Sequence, residues 1–162
     1  MKSSHTSSLE IRAAVITVST SRSKDTDISG GIIRELLEKA GAGISYYTVV
    51  PDKVDQIQEV LHFALTRSNC LIFCGGTGLT RDDCTIEAIT PFIQKRIDGF
   101  GELFRWMSYQ EIGTAAILSR ALAGVIGESV VFCIPGSPAA ARLAVDDLII
   151  PECAHILSHA RK

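Results

Sequence analysis

The stretch that most constrains this chain is Leu71-Ile72-Phe73-Cys74-Gly75-Gly76-Thr77-Gly78-Leu79-Thr80-Arg81-Asp82-Asp83-Cys84-Thr85-Ile86-Glu87-Ala88. Leu71 to Cys74 is a short apolar run closed by glycine, the pattern of a strand covered on both faces. Gly75, Gly76 and Gly78 let successive backbone N–H groups converge on one anion, because glycine lacks Cβ and tolerates positive φ. Thr77 and Thr80 add hydroxyl donors. Thr85 is placed to cap a helix starting near Ile86, whose N-terminus adds a partial positive charge. Gly-Gly-x-Gly by itself is equally a plain strand-to-helix turn. It is not a P-loop, since no Gly-Lys-Ser/Thr follows, and its glycine spacing is not the dinucleotide fingerprint. The acids Asp82 and Asp83 decide between the readings. A carboxylate about 4 Å from a phosphate charge is disfavoured by roughly 4 kcal/mol at an effective dielectric of about 20. A phosphate site with such an acid calls for a cation between the two, so the loop predicts phosphate, Mg²⁺ and a nucleotide substrate.

The segments before this loop alternate. Ile11 to Ser19 is a strand candidate, apolar from Ala13 to Val18 apart from Thr17, and it runs into the hydroxyl-rich Ser19-Thr20-Ser21-Arg22-Ser23. A helix is predicted over about 31–40, with Ile32, Ile33, Leu36 and Leu37 as its apolar stripe. Ile44 to Val50 is the second strand, ended by Pro51-Asp52. Asp52 is a helix N-cap for the segment Lys53 to Arg67 or a ligand at the strand's carboxyl edge; the position suits both, and the residues alone favour capping. Strand, helix, strand, helix, strand argues for an α/β fold with a parallel sheet and helices on both faces. The loops 19–23, 51–52 and 75–83 then meet on one edge, where ligands sit in such sheets.

The second half predicts a helix over Ile86 to Ile89 that continues past Pro91, a break at 97–102, and a helix from Leu103 to Ile112. Segments 123–127 and 129–134 form a hairpin around Gly127-Glu128, which places one antiparallel strand in a mostly parallel sheet. Pro135-Gly136-Ser137-Pro138 is a second glycine turn, with Pro138 suited to a first helical position. Helices are predicted over 139–149 and 151–160. His155 and His159 have no apparent third ligand and are read as surface or interface residues.

The 162 residues suit one domain, with residues 1–8 as a mobile tail and residues 9–162 as the folded unit. A formal charge of −2 argues against a nucleic-acid partner. No segment approaches the ~20 apolar residues of a membrane span, and the polar N-terminus does not read as a signal peptide. The five cysteines form no Cys-x-x-Cys pair and are read as buried thiols in a reducing cytoplasm.

Four motifs in this order and spacing carry a resemblance: Gly75 to Ala88, Gly99-Phe-Gly-Glu102, Ala116-Ile-Leu-Ser-Arg120 and Pro135-Gly-Ser-Pro138. Over about 11–159 the chain resembles the molybdenum cofactor biosynthesis family, which includes the molybdopterin adenylyltransferases, their B-type paralogues and the G domain of gephyrin. The segment Asp147 to Glu152 and the compact length are more like the B-type branch. The resemblance implies a three-layer αβα fold, a single molybdopterin-binding domain, and a homotrimer or homohexamer. It implies Mg²⁺-dependent transfer of AMP from ATP to the terminal phosphate of molybdopterin, with release of pyrophosphate.

Carried onto this chain, the resemblance makes Asp52 and Asp83 the catalytic and metal-holding acids. Gly75, Gly76, Thr77 and Gly78 become the phosphate loop, and Ser108 and Ser119 the hydroxyls on the molybdopterin side. Glu102 becomes an acid of the same cleft, and Pro135, Gly136 and Ser137 the closing loop. In one departure, Asp82 stands where the family often has a basic residue, which weakens local attraction for a triphosphate. The alternative is a molybdopterin-binding or carrier paralogue that does not catalyse. A nucleotide-binding regulator is a third reading, against which the Ser119 and Gly99-to-Glu102 motifs count.

Overall fold

Strands β1 (Arg12–Val18) and β3 (Cys70–Cys74) lie side by side in the middle of the sheet, because almost every residue in them is apolar and both faces must be covered. All five residues of β3 are buried. The remaining strands are β2 (Gly43–Val50), β4 (Lys95–Arg96), β5 (Leu122–Ile126) and β6 (Ser129–Ile134). Among the described residues the six-stranded order is β2-β1-β3-β6-β5-β4. Pairings from β2 to β6 are parallel, and β5 runs antiparallel to both β6 and β4. A computed structural model describes residues 9–162, so the predicted tail lies outside the described residues.

Alternation along the strands assigns the two faces. Val15, Ile72, Phe132 and Ile134 pack with α1 (Ile28–Lys39), α4 (Asp98–Ile112), α5 (Pro138–Ala144) and α6 (Ile150–Ala160). Ile16, Leu71, Phe73 and Cys133 pack with α2 (Val54–Leu65) and α3 (Thr85–Ile89). The result is three layers, helices over sheet over helices. Each fully buried large apolar side chain contributes about 1.5–3 kcal/mol to this assembly. Among the described residues no helix is long and apolar enough to cross a membrane.

Several boundaries differ from those read in the sequence, each for a local reason. Helix α1 begins at Ile28, because Asp27 caps it by accepting from the Gly30 amide. Helix α3 stops at Ile89, and a 3₁₀ turn, Thr90–Phe92, leads into β4. That strand is two exposed basic residues paired to Val125 and Gly124, too short and polar for a hydrophobic pattern to reveal. The predicted helices at 139–149 and 151–160 run on through a π-helical turn, Val145–Ile149. Pro151 lacks an N–H and would crowd the carbonyl four residues back in a regular helix, and a widened turn accommodates it.

The predicted break at 97–102 is instead the first turn of α4. Gly101 is there for proximity. A Cβ at this position would lie 2.6 Å from the Ala121 carbonyl oxygen, so the glycine lets α4 pack directly on the segment leading into β5. In an exposed helix, Gly→Ala is stabilising by about 1 kcal/mol. Here Gly101→Ala is expected to destabilise by about 1–3 kcal/mol as an overpacked contact. A lower urea midpoint with an unchanged m value would show it, and a raised midpoint would contradict the packing.

Candidate active site

The carboxyl ends of β1, β2, β3 and β6 open on one edge, as parallel pairing requires, and their loops enclose a cleft of about 480 Å³. The glycine turn is its floor. Gly75 (φ +108°) and Gly76 (φ +69°) are both left-handed. A Cβ on Gly75 would sit 2.4 Å from the Val18 carbonyl oxygen, so β3 can turn under the end of β1 only with glycine. The Gly75 amide donates to the Ile134 carbonyl (2.9 Å), which ties the turn to β6.

Thr85 closes the turn from below. Its amide donates to the Gly76 carbonyl (3.0 Å) and its buried hydroxyl to the Gly75 carbonyl (2.8 Å). This corrects the predicted role of Thr85 as a cap: α3 starts at Thr85 itself, with Cys84 at the cap position and no side-chain bond there. Arg120 braces the far side. Its Nε and Nη2 both donate to the Gly78 carbonyl (3.0 and 2.8 Å), and the same guanidinium pairs with Glu87 of α3. That pairing holds the Glu87 carboxyl below the usual range, chiefly through the Arg120 hydrogen bond.

Asp52 and Asp83 both line the cleft. Asp52 is not a helix cap: Lys53 occupies that position without a side-chain bond, and the Asp52 carboxylate instead accepts from the Thr20 amide and hydroxyl. Asp83 accepts from the Thr80 amide and hydroxyl. A Cβ on Gly76 would lie 3.3 Å from Asp52 Oδ1 and one on Gly78 2.7 Å from Asp83 Oδ2, so the two acids flank the glycine turn. Arg22 is the sole cationic side chain lining the cleft among the described residues. It donates to the Gly136 carbonyl (3.2 Å), as the Ser29 hydroxyl also does (2.7 Å), and together they hold the closing loop. Phe104, Ile112, Ala115 and Leu118 make the opposite end apolar.

A family described as a probable molybdopterin binding domain matches residues 14–155. The chain belongs to the molybdenum cofactor biosynthesis family. Among family members, it is 48% identical over 155 residues to Molybdenum cofactor biosynthesis protein B of Bacillus subtilis (strain 168), covering 94% of this chain and 91% of the relative. A crystal structure of Molybdenum cofactor biosynthesis protein B superposes with a TM-score of 0.91 at 42% identity, over 96% of this chain and 98% of the other. The tungsten cofactor synthesizing protein MoaB of Pyrococcus furiosus gives 0.88 at 41% identity, over 94% and 98%.

The family motifs largely converge in space. Gly75, Gly76, Thr77, Gly78, Asp52, Asp83, Ser108, Ser119, Pro135, Gly136 and Ser137 all line the cleft. Ser108 is buried on α4, one turn beyond Phe104 on the same face. Ser137 also caps α5 through the Ala140 amide. Glu102 is the exception to the expected set. It is exposed and borders a separate depression with Arg96, Asp98 and Arg105. Because α4 is helical from Asp98, Glu102 points about 120° away from Ser108 around the axis. Asp82 is exposed and does not line the cleft. His155 and His159 lie in another groove, His155 bonded to Glu152, and the described residues contain no group of three or more His, Cys, Asp or Glu able to hold a metal.

The carboxylate pair nevertheless suits Mg²⁺, which is commonly held by one or two carboxylates with water and substrate phosphates completing the shell. The two thiols beside the turn are not activated. Cys84, nearest the acids, is held above the ordinary value by burial and then by Asp52, Glu87, Asp83 and Asp82, and burial pushes Cys74 up to about 12.

Arg22, Thr20, Arg120 and Asp27 were not singled out from sequence. Asp27 had a local signal, an acid just before a helix and three residues ahead of the glycine whose amide it accepts. Buried behind the cleft, it also accepts from Thr17 Oγ1 (2.7 Å) and Tyr47 Oη (2.6 Å). Burial, then the hydrogen bond to Asp27 and its charge, push the Tyr47 phenol up to about 12, against a smaller opposing pull from Arg34. The raised folded-state value gives a stability contribution present below about pH 10 and lost as pH rises through about 12. An ultraviolet difference titration is expected to show one tyrosine ionising near 12, a step that disappears in Tyr47→Phe. A step that persists in that variant would contradict the assignment.

Proposed function

We propose that this chain transfers AMP from ATP to the terminal phosphate of molybdopterin, with Mg²⁺ and release of pyrophosphate, and that residues 9–162 act as one molybdopterin-binding domain. The observation that carries the reading is the pair Asp52 and Asp83 on either side of an amide-lined glycine turn, with Arg22 the sole lining cation among the described residues. Two carboxylates and one guanidinium leave the cleft net negative, which opposes a polyphosphate unless a cation joins them.

No protein nucleophile is required, because the attacking group is a phosphate oxygen of the substrate. That oxygen forms a bond to the α-phosphorus of ATP, and the bond from this phosphorus to the bridging oxygen breaks as pyrophosphate leaves. The residues supply position and electrostatics. Asp52 and Asp83 would hold Mg²⁺, whose charge offsets that of the phosphates. The amides of Gly76, Thr77 and Gly78 would face developing charge on the transferred phosphoryl group, the Gly75 amide being held by the Ile134 carbonyl, and Thr85 and Arg120 engage the turn's carbonyls. Ser108 and Ser119 offer hydroxyls toward the molybdopterin phosphate, and the apolar end takes the less polar part of the substrate.

The scarcity of cations in the cleft favours a second reading, a molybdopterin-binding protein that does not transfer AMP. We also propose that copies of the chain associate through the exposed apolar residues Leu103, Trp106, Tyr109 and Ile117, which do not line the cleft. The shared role under either reading is in molybdenum cofactor biosynthesis.

Incubation of the protein with molybdopterin, ATP and Mg²⁺ is expected to yield adenylylated molybdopterin, resolved by chromatography and absent without the metal. Asp83→Asn is expected to cut turnover by about two orders of magnitude or more, the scale of a lost transition-state contact, with molybdopterin affinity unchanged. Normal turnover by that variant would remove Asp83 from the mechanism. Tight molybdopterin binding by the unmodified chain without product would establish the second reading.

A further inference from the structure

Two threonines hold the two cleft acids in the same manner. Thr20 donates to Asp52 Oδ2 through its amide (3.0 Å) and its hydroxyl (2.9 Å). Thr80 donates to Asp83 Oδ2 through its amide (2.9 Å) and its hydroxyl (2.8 Å). The pairs have different origins. One joins the loops after β1 and β2 across 32 positions, and the other closes three residues within the glycine turn. The Asp52 amide returns a bond to Thr20 Oγ1 (3.2 Å), which locks that threonine against its acid. The Oδ1 atom of neither acid accepts a hydrogen bond from the described residues.

A carboxylate oxygen has about two lone-pair sites, and two donors occupy them. Each acid therefore offers a cation one free oxygen rather than two. Ca²⁺ takes about 6–8 oxygens at about 2.3–2.6 Å and uses bidentate carboxylates readily, whereas Mg²⁺ takes octahedral oxygens at about 2.0–2.1 Å and retains waters. We propose that Thr20 and Thr80 restrict Asp52 and Asp83 to one-point ligation, and so set the cleft's preference for a small octahedral cation, Mg²⁺ or Mn²⁺, over Ca²⁺. Both threonines are positioning residues: they bond the acids and do not line the cleft. The inference rests on the reading of Asp52 and Asp83 as the metal-holding pair.

The test needs no turnover. Mn²⁺–ATP is added to the full chain, protein-bound Mn²⁺ is read by solvent-proton relaxation enhancement, and Ca²⁺ is added as competitor. The unmodified chain is expected to retain Mn²⁺ against Ca²⁺. The Thr20→Val/Thr80→Val double variant keeps side-chain shape and removes both hydroxyls. Its Mn²⁺-to-Ca²⁺ preference is expected to narrow by about tenfold, the scale of a lost hydrogen bond to a charged group. Thr20→Ser/Thr80→Ser is expected to restore the preference of the unmodified chain, a rescue that general loosening of the loops would not give. An unchanged preference in the valine variant, with Mn²⁺ binding lost in Asp52→Asn and Asp83→Asn, overturns this inference and leaves the metal assignment standing. Undiminished Mn²⁺ binding in both asparagine variants, or no enhancement with the unmodified chain, overturns the metal assignment and the inference together.

Discussion

The cleft depends on one close approach, that of the Gly75 backbone to the end of β1. At a φ of +108°, with the Val18 carbonyl 2.4 Å from where a Cβ would be, β3 turns sharply, and the amides of Gly76, Thr77 and Gly78 make no backbone hydrogen bond among the described residues. Left-handed backbone of this kind persists only where neighbouring structure enforces it. Here the enforcement is hydrogen bonding of the turn's own carbonyls. The Gly75 and Gly76 carbonyls accept from Thr85, and the Gly78 carbonyl accepts from Arg120. With the carbonyls committed inward, the amides are the polar groups left to meet a ligand. The proposed anion-binding role of the loop would thus follow from where its acceptors go.

The charges follow a compatible logic. A cradle of amides favours an anion, while Asp52 and Asp83 oppose one, and a cation between them would reconcile both. Arg22 is partly committed to the Gly136 carbonyl, so its charge is anchored near the closing loop rather than spread through the cleft. The arrangement separates a polar, charge-bearing end from an apolar end at Phe104 and Leu118, as a substrate with a phosphate on one side and a less polar body on the other would need.

Much of this was legible in the sequence because apolar runs and glycine turns are local signals. The strands β1, β2, β3, β5 and β6 announce themselves by unbroken or alternating apolar residues, and the loops with Asp52, Gly75 to Asp83 and Gly136 sit at their ends. Signals that require a partner were less visible. Thr85 and Asp52 have the chemistry of caps, yet each is engaged elsewhere, since Gly75 and Thr20 offer better-placed partners across the fold. The glycines of α4 suggest a break until the Ala121 carbonyl beside Gly101 is known. Glu102 belongs to a motif that runs with the cleft in sequence and departs from it in space, because helical periodicity turns it to another side. Arg22 and Arg120 act on carbonyls distant along the chain, at Gly136 and Gly78, and no local pattern marks such partners.

Those distances along the chain have a further consequence. Thr20 meets Asp52 across 32 positions, Arg120 meets Gly78 across 42, and Arg22 and Ser29 reach Gly136 across 114 and 107. Closing loops of that size carries an entropic cost before any contact repays it, and the sheet pairings β1–β3 and β3–β6 span similar separations, so the walls of the cleft require the assembled sheet. A collapsed but incomplete chain has strands and helices without a site. Anything that fits the cleft therefore binds the finished fold and not its precursors, and by mass action its presence shifts the equilibrium toward the native chain. A ligand of this cleft would link its own supply to the fraction of chain kept folded.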